Sequence, residues 1–314
     1  MKAARYHRFG DPDVLVVEEV ERPVPGAGEV LIQVAAAAFN PVDSHIRQGA
    51  LQAFFPVVLP HTPCIDVSGT VAELGDGVSL DRVAVGDEIV AYLPLDRPGA
   101  AAEYIVVPAE LLVSAPTTVP LADAAALPSS GLTAVQTLFE HGGLQAGQRV
   151  LVTAAGGSVG GLTTQLAVAA GAVVVASASP RHADRLRAQG AREVVGRTDD
   201  LAPDAIEPVD LIVNLAPVPT PELAVFLRPG GTIISVTTPA ADDPERGTRG
   251  ARINAHPDSA QLARLVADLD AGRISLDIGD RVPLADIARA HRGETRGKTL
   301  LIPSESPSSK AVKS

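Results

Sequence analysis

"VTAAGGSVGGLTTQLAVAAGAVVVASASPRHADRL", from Val152 to Leu186, decides how this chain is read. An apolar run ends in Ala155-Gly156-Gly157-Ser158-Val159-Gly160, an A-x-G-x-x-G turn, and a stretch of helical texture and a second apolar run follow. A strand entering a glycine-rich turn that opens a helix, with another strand after it, is the pattern of a βαβ unit that cradles a dinucleotide. Gly157 would let the backbone approach a pyrophosphate, and Gly160 would let the helix pack closely on the strand. The N–H groups and positive dipole end of that helix would face phosphate. The second run ends at Ala176-Ser177-Ala178-Ser179, followed by Pro180 and Arg181, with no acidic residue before Asp184. An NAD site places Asp or Glu there to accept bonds from the ribose hydroxyls. Serine hydroxyls such as that of Ser179, with the guanidinium of Arg181 and Arg197 as a second cation beyond the third strand, suit a 2′-phosphate instead. The stretch predicts a site for NADPH rather than NADH.

The same alternation extends outward from this stretch. After Leu121, helical segments broken at Pro128 lead to the strand "QRVLVTA". The unit just described follows, then "REVV" and "VDLIVNLA" as strands, "PELAVFLRPG" as a helix and "GTIISVT" as a strand. Strands alternating with helices imply a doubly wound parallel sheet, an α/β Rossmann domain. An amphipathic helix within "RINAHPDSAQLARLVADLDAGRIS" is expected to close it. Before residue 120 the texture differs. Short β-rich runs ("VLVVEEV", "EVLIQVAAAAF", "GTVAEL", "EIVAYL", "AEYIVV") alternate with turn residues, the pattern of a small barrel or sandwich. The expected division is 1–122 as a barrel domain completed by about 272–303, 123–271 as the dinucleotide domain, and 304–314 as a disordered polar tail.

Composition limits the function classes. A chain of 314 residues has room for two cores, with 46% hydrophobic and 20% charged residues. A net charge of -11 argues against a nucleic-acid surface. Cys64 is the only cysteine, so there is neither a disulfide framework nor a cysteine-built structural zinc site. The N-terminal "MKAARYHRFG" lacks the apolar core of a signal peptide, and the most apolar stretch, 166–178, is too short to span a bilayer. A soluble cytoplasmic protein is expected, with no membrane or nucleic-acid partner.

"FNPVDSHIRQG" (39–49), "LPHTPCIDVSGTV" (59–71), "VAVGDEIVA", "AAAEYIVVP", "LPSSGLTAVQTL" (127–138) and "LVTAAGGSVGGLTTQLA" follow one another in a family order. In this series the chain resembles the zinc-independent quinone oxidoreductase branch of the medium-chain dehydrogenase/reductase superfamily, over roughly residues 1–303. The resemblance implies a GroES-like β-barrel domain, an inserted Rossmann domain, NADPH in the cleft between them and a homodimer paired through the edge of the Rossmann sheet. It also implies hydride transfer to a quinone or an enone. Enoyl reduction of a polyketide-type intermediate is an alternative, and NADPH binding without turnover is another.

No metal is expected. Where a ligand cysteine would fall the chain reads Asn40-Pro41-Val42-Asp43, and His61 with Cys64 supplies two ligands, short of a site. Cys64 stands where the family usually has glycine. The candidate catalytic residues are Asn40, whose amide would reach the nicotinamide ribose or the substrate oxygen, and His45, a proton source near neutral pH where the family often has tyrosine. Asp43 would hold the loop by accepting backbone N–H bonds. By resemblance Thr133 would meet the cofactor. Thr237 and Thr238 follow a strand at its carboxyl end, where doubly wound sheets bind ligands.

Overall fold

The structure is a computed structural model that describes residues 1–79, 83–295 and 297–303; the expected tail, 304–314, lies outside the described residues. Two units emerge: Met1–Ser129 with Pro257–Asp270 and the stretch from Ile278 onward, and Ser130–His256 with Ala271–Asp277.

The first unit contains β1 (Lys2–Tyr6), β2 (Leu15–Glu19), β3 (Glu29–Ala38), β4 (Asp66–Leu74), β5 (Glu88–Tyr92), β6 (Tyr104–Pro108) and β7 (Val113–Ser114). The second contains β8 (Arg149–Val152), β9 (Val173–Ser177), β10 (Glu193–Val195), β11 (Val209–Asn214), β12 (Leu227–Ser235) and β13 (Arg249–Arg252). The chain then returns to the first with β14 (Ile278–Pro283) and β15 (Lys298–Ile302).

In the first unit β1 and β2 form an antiparallel pair, and β14-β15-β3-β4-β5-β7 form the main sheet. β3 is its spine. One edge pairs with β4 along the strand, while the other takes β6 at Glu29–Gln33 and β15 at Ala37–Ala38. Paired on both edges, β3 is buried at most of its positions, and Val30, Ile32 and Val34 join Val67, Val71, Ile89 and Leu301 in one core. The return of β15 is therefore what completes this sheet.

The second unit is one parallel sheet in the order β10-β9-β8-β11-β12-β13. Counted from β8 this is 3-2-1-4-5-6, the doubly wound dinucleotide-binding order, with its reversal between β8 and β11. Leu151, Val175, Ile212, Phe226 and Ile233 form its core.

Three expectations need correction. The boundary near residue 122 lies between Ser129 and Ser130, inside the helix Pro128–Val135, because Asp66 of the first unit binds the N–H and hydroxyl of Ser129. The helix Ser259–Asp270 groups with the first unit, since the Asp270 carboxylate accepts the N–H groups of Thr117 and Thr118 (2.8 and 3.0 Å) and their hydroxyls. "PELAVFLRPG" is helical only to Phe226: Leu227 already belongs to β12, and Gly230 (φ 76°) lies in an irregular stretch of its register against β11. No helix among the described residues is long and apolar enough to cross a membrane.

Candidate active site

The turn after β8 is built as its glycines require. Ala154 takes a left-handed conformation (φ 49°), Gly157 N–H closes the turn on the Ala154 carbonyl (3.0 Å), and Ala155 N–H bonds the Ser177 carbonyl at the end of β9 (2.9 Å). Gly157 is the N-cap of the helix Ser158–Ala169. The N–H groups of Ser158, Val159 and Gly160 precede the first bond of the helix proper, Gly161 to Gly157, and are the donors a helix start leaves for a ligand. A Cβ on Gly160 would lie 2.5 Å from the Ala154 oxygen and the Ala155 Cα, so the helix approaches the strand at a distance only glycine permits. A Cβ on Gly157 would meet nothing nearer than 3.4 Å, so this glycine is not required by internal packing. The Ser158 hydroxyl bonds Ser130 (3.1 Å).

The turn is braced from a side the sequence did not disclose. Arg185 donates to the Gly156 carbonyl (2.7 Å) and pairs with Asp277 (2.7 Å), and a Cβ on Gly156 would run into the His182 ring at 2.4 Å. Burial and the charges of Arg185 and Arg181 hold His182 below the usual histidine range.

A cavity of about 420 Å³ opens at the carboxyl ends of β8, β9, β10 and β11. That is the switch point, where an open α/β sheet binds its ligand. Thr153, Ala154, Ser177, Ser179, Arg197 and the loop Leu215–Pro219 are in its lining. Of the predicted residues, Ser179 and Arg197 thus meet in one cavity. Arg181 is outside the lining, exposed on the turn Pro180–His182, its Nε donating to His182 (3.0 Å). The lining's carboxylate among the described residues is Glu222, which follows β11, not β9.

Asn214, at the end of β11, holds the loop of this cavity. Its Nδ2 donates to the Val218 carbonyl (2.9 Å) and to the hydroxyls of Ser235 and Thr238, and its Oδ1 accepts from Thr153 Oγ1 (2.8 Å). Thr153 Oγ1 in turn accepts from the N–H groups of Leu215 and Ala216. Thr238 donates to the Val218 carbonyl (2.9 Å) and Thr237 to that of Ala216 (2.5 Å). Neither threonine is in the lining; both position the loop that is. Thr133 also lies outside the lining, half-buried on the helix Pro128–Val135, its carbonyl accepting the Thr137 hydroxyl (2.7 Å). Asn214 and Thr153 lacked any spacing signal, because their partnership joins β8 to β11 across 61 residues.

In the first unit, Asn40 caps the helix Pro41–Arg47 as half of a capping box with Asp43. Asp43 is buried and accepts the N–H groups of Asn40 (2.8 Å) and Cys64 (2.9 Å), the holding role expected of it. Burial pushes its carboxyl up to about 7. The Asn40 amide is turned inward: Nδ2 donates to Asp66 (2.9 Å) and the Ala38 carbonyl (3.2 Å), while Oδ1 accepts from Lys298 (2.6 Å) and Ser129 (3.1 Å). Its donors are thus spent on Asp66 and β3 rather than offered outward. Asp66, fully buried, also takes Lys298 at 3.0 Å. His45 lies exposed on the same helix.

Among the described residues the His61–Cys64 pair gains no third ligand. The buried His61 ring lies 5.4 Å from the Tyr6 ring, and burial lowers its pKa to about 4. Burial and the carboxylates of Asp43 and Asp66 push the Cys64 thiol well above its ordinary range. No three His, Cys, Asp or Glu side chains form a metal-binding group among the described residues.

Comparison with known proteins agrees with this architecture. Residues 26–117 match the alcohol dehydrogenase GroES-like domain and residues 189–301 the zinc-binding dehydrogenase domain. The chain is 39% identical over 202 residues to a chloroplast envelope quinone oxidoreductase homolog of Arabidopsis thaliana. That match covers 62% of this chain and only 60% of the relative. It is 32% identical to a quinone oxidoreductase of Mus musculus, covering 96% of this chain and 98% of the relative. Among solved structures, an NAD-dependent alcohol dehydrogenase superimposes with a TM-score of 0.87 at 28% identity, covering 97% of this chain and 100% of that one. A mycobacterial protein in complex with NADPH superimposes with 0.83 at 28% identity, covering 96% and 100%.

Proposed function

The chain belongs to the quinone oxidoreductase family of the medium-chain dehydrogenase/reductase superfamily, and on that premise we propose that it moves hydride from NADPH to a quinone or an activated alkene without zinc. The observation that carries the reading is the switch-point cavity. The end of β9 presents Ser177 and Ser179 with Arg197 alongside, and the turn after β8 brings a helix start to the same edge of the sheet. Hydroxyls and guanidinium groups favour the 2′-phosphate that a carboxylate at that strand end would repel. The solved relatives include both an NAD-dependent enzyme and an NADPH complex, so the preference rests on these residues.

The cofactor would supply hydride; the protein's part is to hold the acceptor carbon against it and to let a proton follow. Asn40, locked to Asp66 and Lys298, fixes the start of the helix that carries His45. His45, exposed on that helix, is the proton source we propose. The zinc-free reading is supported by a His61–Cys64 pair with no third partner among the described residues.

One assay series tests the whole reading. NADPH oxidation is followed with quinones, enones and enoyl thioesters, with metal content measured on the same samples. Turnover is expected on quinones or enones and should survive chelation. NADPH is expected to bind at least about tenfold more tightly than NADH, roughly 1.4 kcal/mol, with the preference reduced in Arg197→Ala and Arg181→Ala. His45→Phe is expected to lower turnover roughly 10²-fold on an enone, which is protonated at carbon, and less on a quinone. Turnover confined to enoyl thioesters would give the enzyme its alternative substrate. NADPH binding without turnover on any acceptor would refute the enzyme reading, and stoichiometric zinc lost together with activity would refute the metal-free one.

A further inference from the structure

Gly156 and Gly157 share one peptide plane. With no Cβ on either side to resist the change in ψ and φ, such a plane turns over at little cost. The structure holds it at both ends. The Gly157 N–H closes on the Ala154 carbonyl (3.0 Å), and the Gly156 carbonyl accepts Nη2 of Arg185 (2.7 Å). This plane is the last before the N-cap, Gly157, so its orientation sets the entry to the helix whose first N–H groups are left for a ligand.

Arg185 reaches back across 29 residues to make this bond, from the helix Ala183–Ala188 that follows β9. Its Nη1 lies 2.7 Å from Asp277 Oδ2, with the arginine side chain 24% exposed and the carboxylate 43%. Asp277 ends the stretch Ala271–Asp277, which belongs to the same unit as the turn. One guanidinium thus ties the turn after β8, the helix after β9 and a segment from far along the chain. A planar fork suits this, with one Nη for the carboxylate and the other for the carbonyl, a geometry that the point charge of a lysine does not reproduce. The helix Ser158–Ala169 does not depend on Arg185 for its place, since its close approach to the turn is made at Gly160. Asp277 also offsets the arginine's charge, which leaves little net attraction for a phosphate at a distance.

We infer that Arg185, anchored by Asp277, is a positioning residue for the dinucleotide: it locks the Gly156–Gly157 peptide in the orientation that receives the pyrophosphate. This rests on the reading of the turn and its cavity as an NADPH site. The lock acts on a part that NADPH and NADH have in common. Unlike Ser179 and Arg197, Arg185 therefore contributes to affinity and not to the preference between the two.

Calorimetry with both dinucleotides and amide exchange of the cofactor-free chain test this. Arg185→Met is expected to weaken NADPH and NADH by the same factor, about tenfold, and to leave their ratio unchanged. Exchange of the Gly157 N–H should rise by about tenfold or more in that variant while the strands of the sheet stay protected. Asp277→Ala separates position from charge. It uncovers the full charge of Arg185, so attraction through space would tighten NADPH binding, whereas a loosened anchor weakens it, by about threefold or more. If Arg185→Met fails to fold, Asp277→Ala, which keeps the arginine, carries the same two measurements. Failure of the parent to bind either dinucleotide would overturn the underlying reading of the site. A parent that binds, together with unchanged affinity or unchanged Gly157 exchange in Arg185→Met, or with tighter binding in Asp277→Ala, would overturn the inference alone.

Discussion

Cys64 has φ 77°, the left-handed region that an L side chain enters at a cost on the order of 1 kcal/mol or more. What holds it there is visible: its N–H is bound by Asp43 (2.9 Å), and its carbonyl accepts the Ala100 N–H (2.7 Å). The family glycine at this position thus has a physical explanation, and cysteine here is a strained substitute whose thiol fills buried space. Cys64→Gly is expected to stay within about 1 kcal/mol of the parent, because relief of strain offsets loss of the buried sulfur. Cys64→Val places a β-branched side chain at positive φ and is expected to destabilise by about 3 kcal/mol or more. Urea unfolding of both variants checks this; a valine variant as stable as the parent would show that no strain resides there.

At the scale of the element, the glycine-rich turn separates two uses of glycine. Gly160 is demanded by packing, since its Cβ would lie 2.5 Å from backbone atoms of the turn, whereas Gly157 has room for one. Gly160→Ala must displace the helix Ser158–Ala169 and is expected to weaken both the fold, by about 1–3 kcal/mol, and NADPH binding. Gly157→Ala is expected to melt like the parent while losing at least about tenfold in NADPH affinity, as its methyl would occupy the approach of the pyrophosphate. Calorimetry with NADPH and thermal unfolding of the two variants separate these roles. Full NADPH affinity in Gly157→Ala would remove the pyrophosphate from this turn.

For the molecule as a whole, the parallel sheet ends in β10 on one side and β13 on the other, and we propose that a homodimer forms by pairing β13 with its copy. A two-fold axis makes such pairing antiparallel and leaves no exposed sheet edge there. The edge is partly guarded: the Gly250 N–H is already taken by Asp242 (2.9 Å), and a Cβ on Gly250 would meet the Ala241 carbonyl at 2.2 Å. Light scattering is expected to give twice the 32.2 kDa chain mass, with tighter association in Asp242→Ala, which frees that donor. Monomer mass for both proteins at all concentrations would exclude the pairing.

The nucleotide-binding half was legible because its information is local. Strand, A-x-G-x-x-G turn, helix and second strand lie within consecutive residues, and their periodicity specifies a parallel unit whatever surrounds it. The absence of an acid at the end of β9 is likewise a property of the sequence alone. The tertiary structure decided what depends on distant partners. It brought Arg197 into the lining with Ser179 and left Arg181 out of it, and it tied β8 to β11 through Thr153 and Asn214. It also turned the Asn40 amide inward to Asp66, whose charge is met by Lys298 from 232 residues further along. The helix Ser259–Asp270 joined the first unit through a carboxylate on Thr117 and Thr118, a contact to which its amphipathic period is indifferent. Periodicity fixes which face of an element is buried; the element that covers it is chosen by contacts between residues far apart in the chain, and no local pattern carries those.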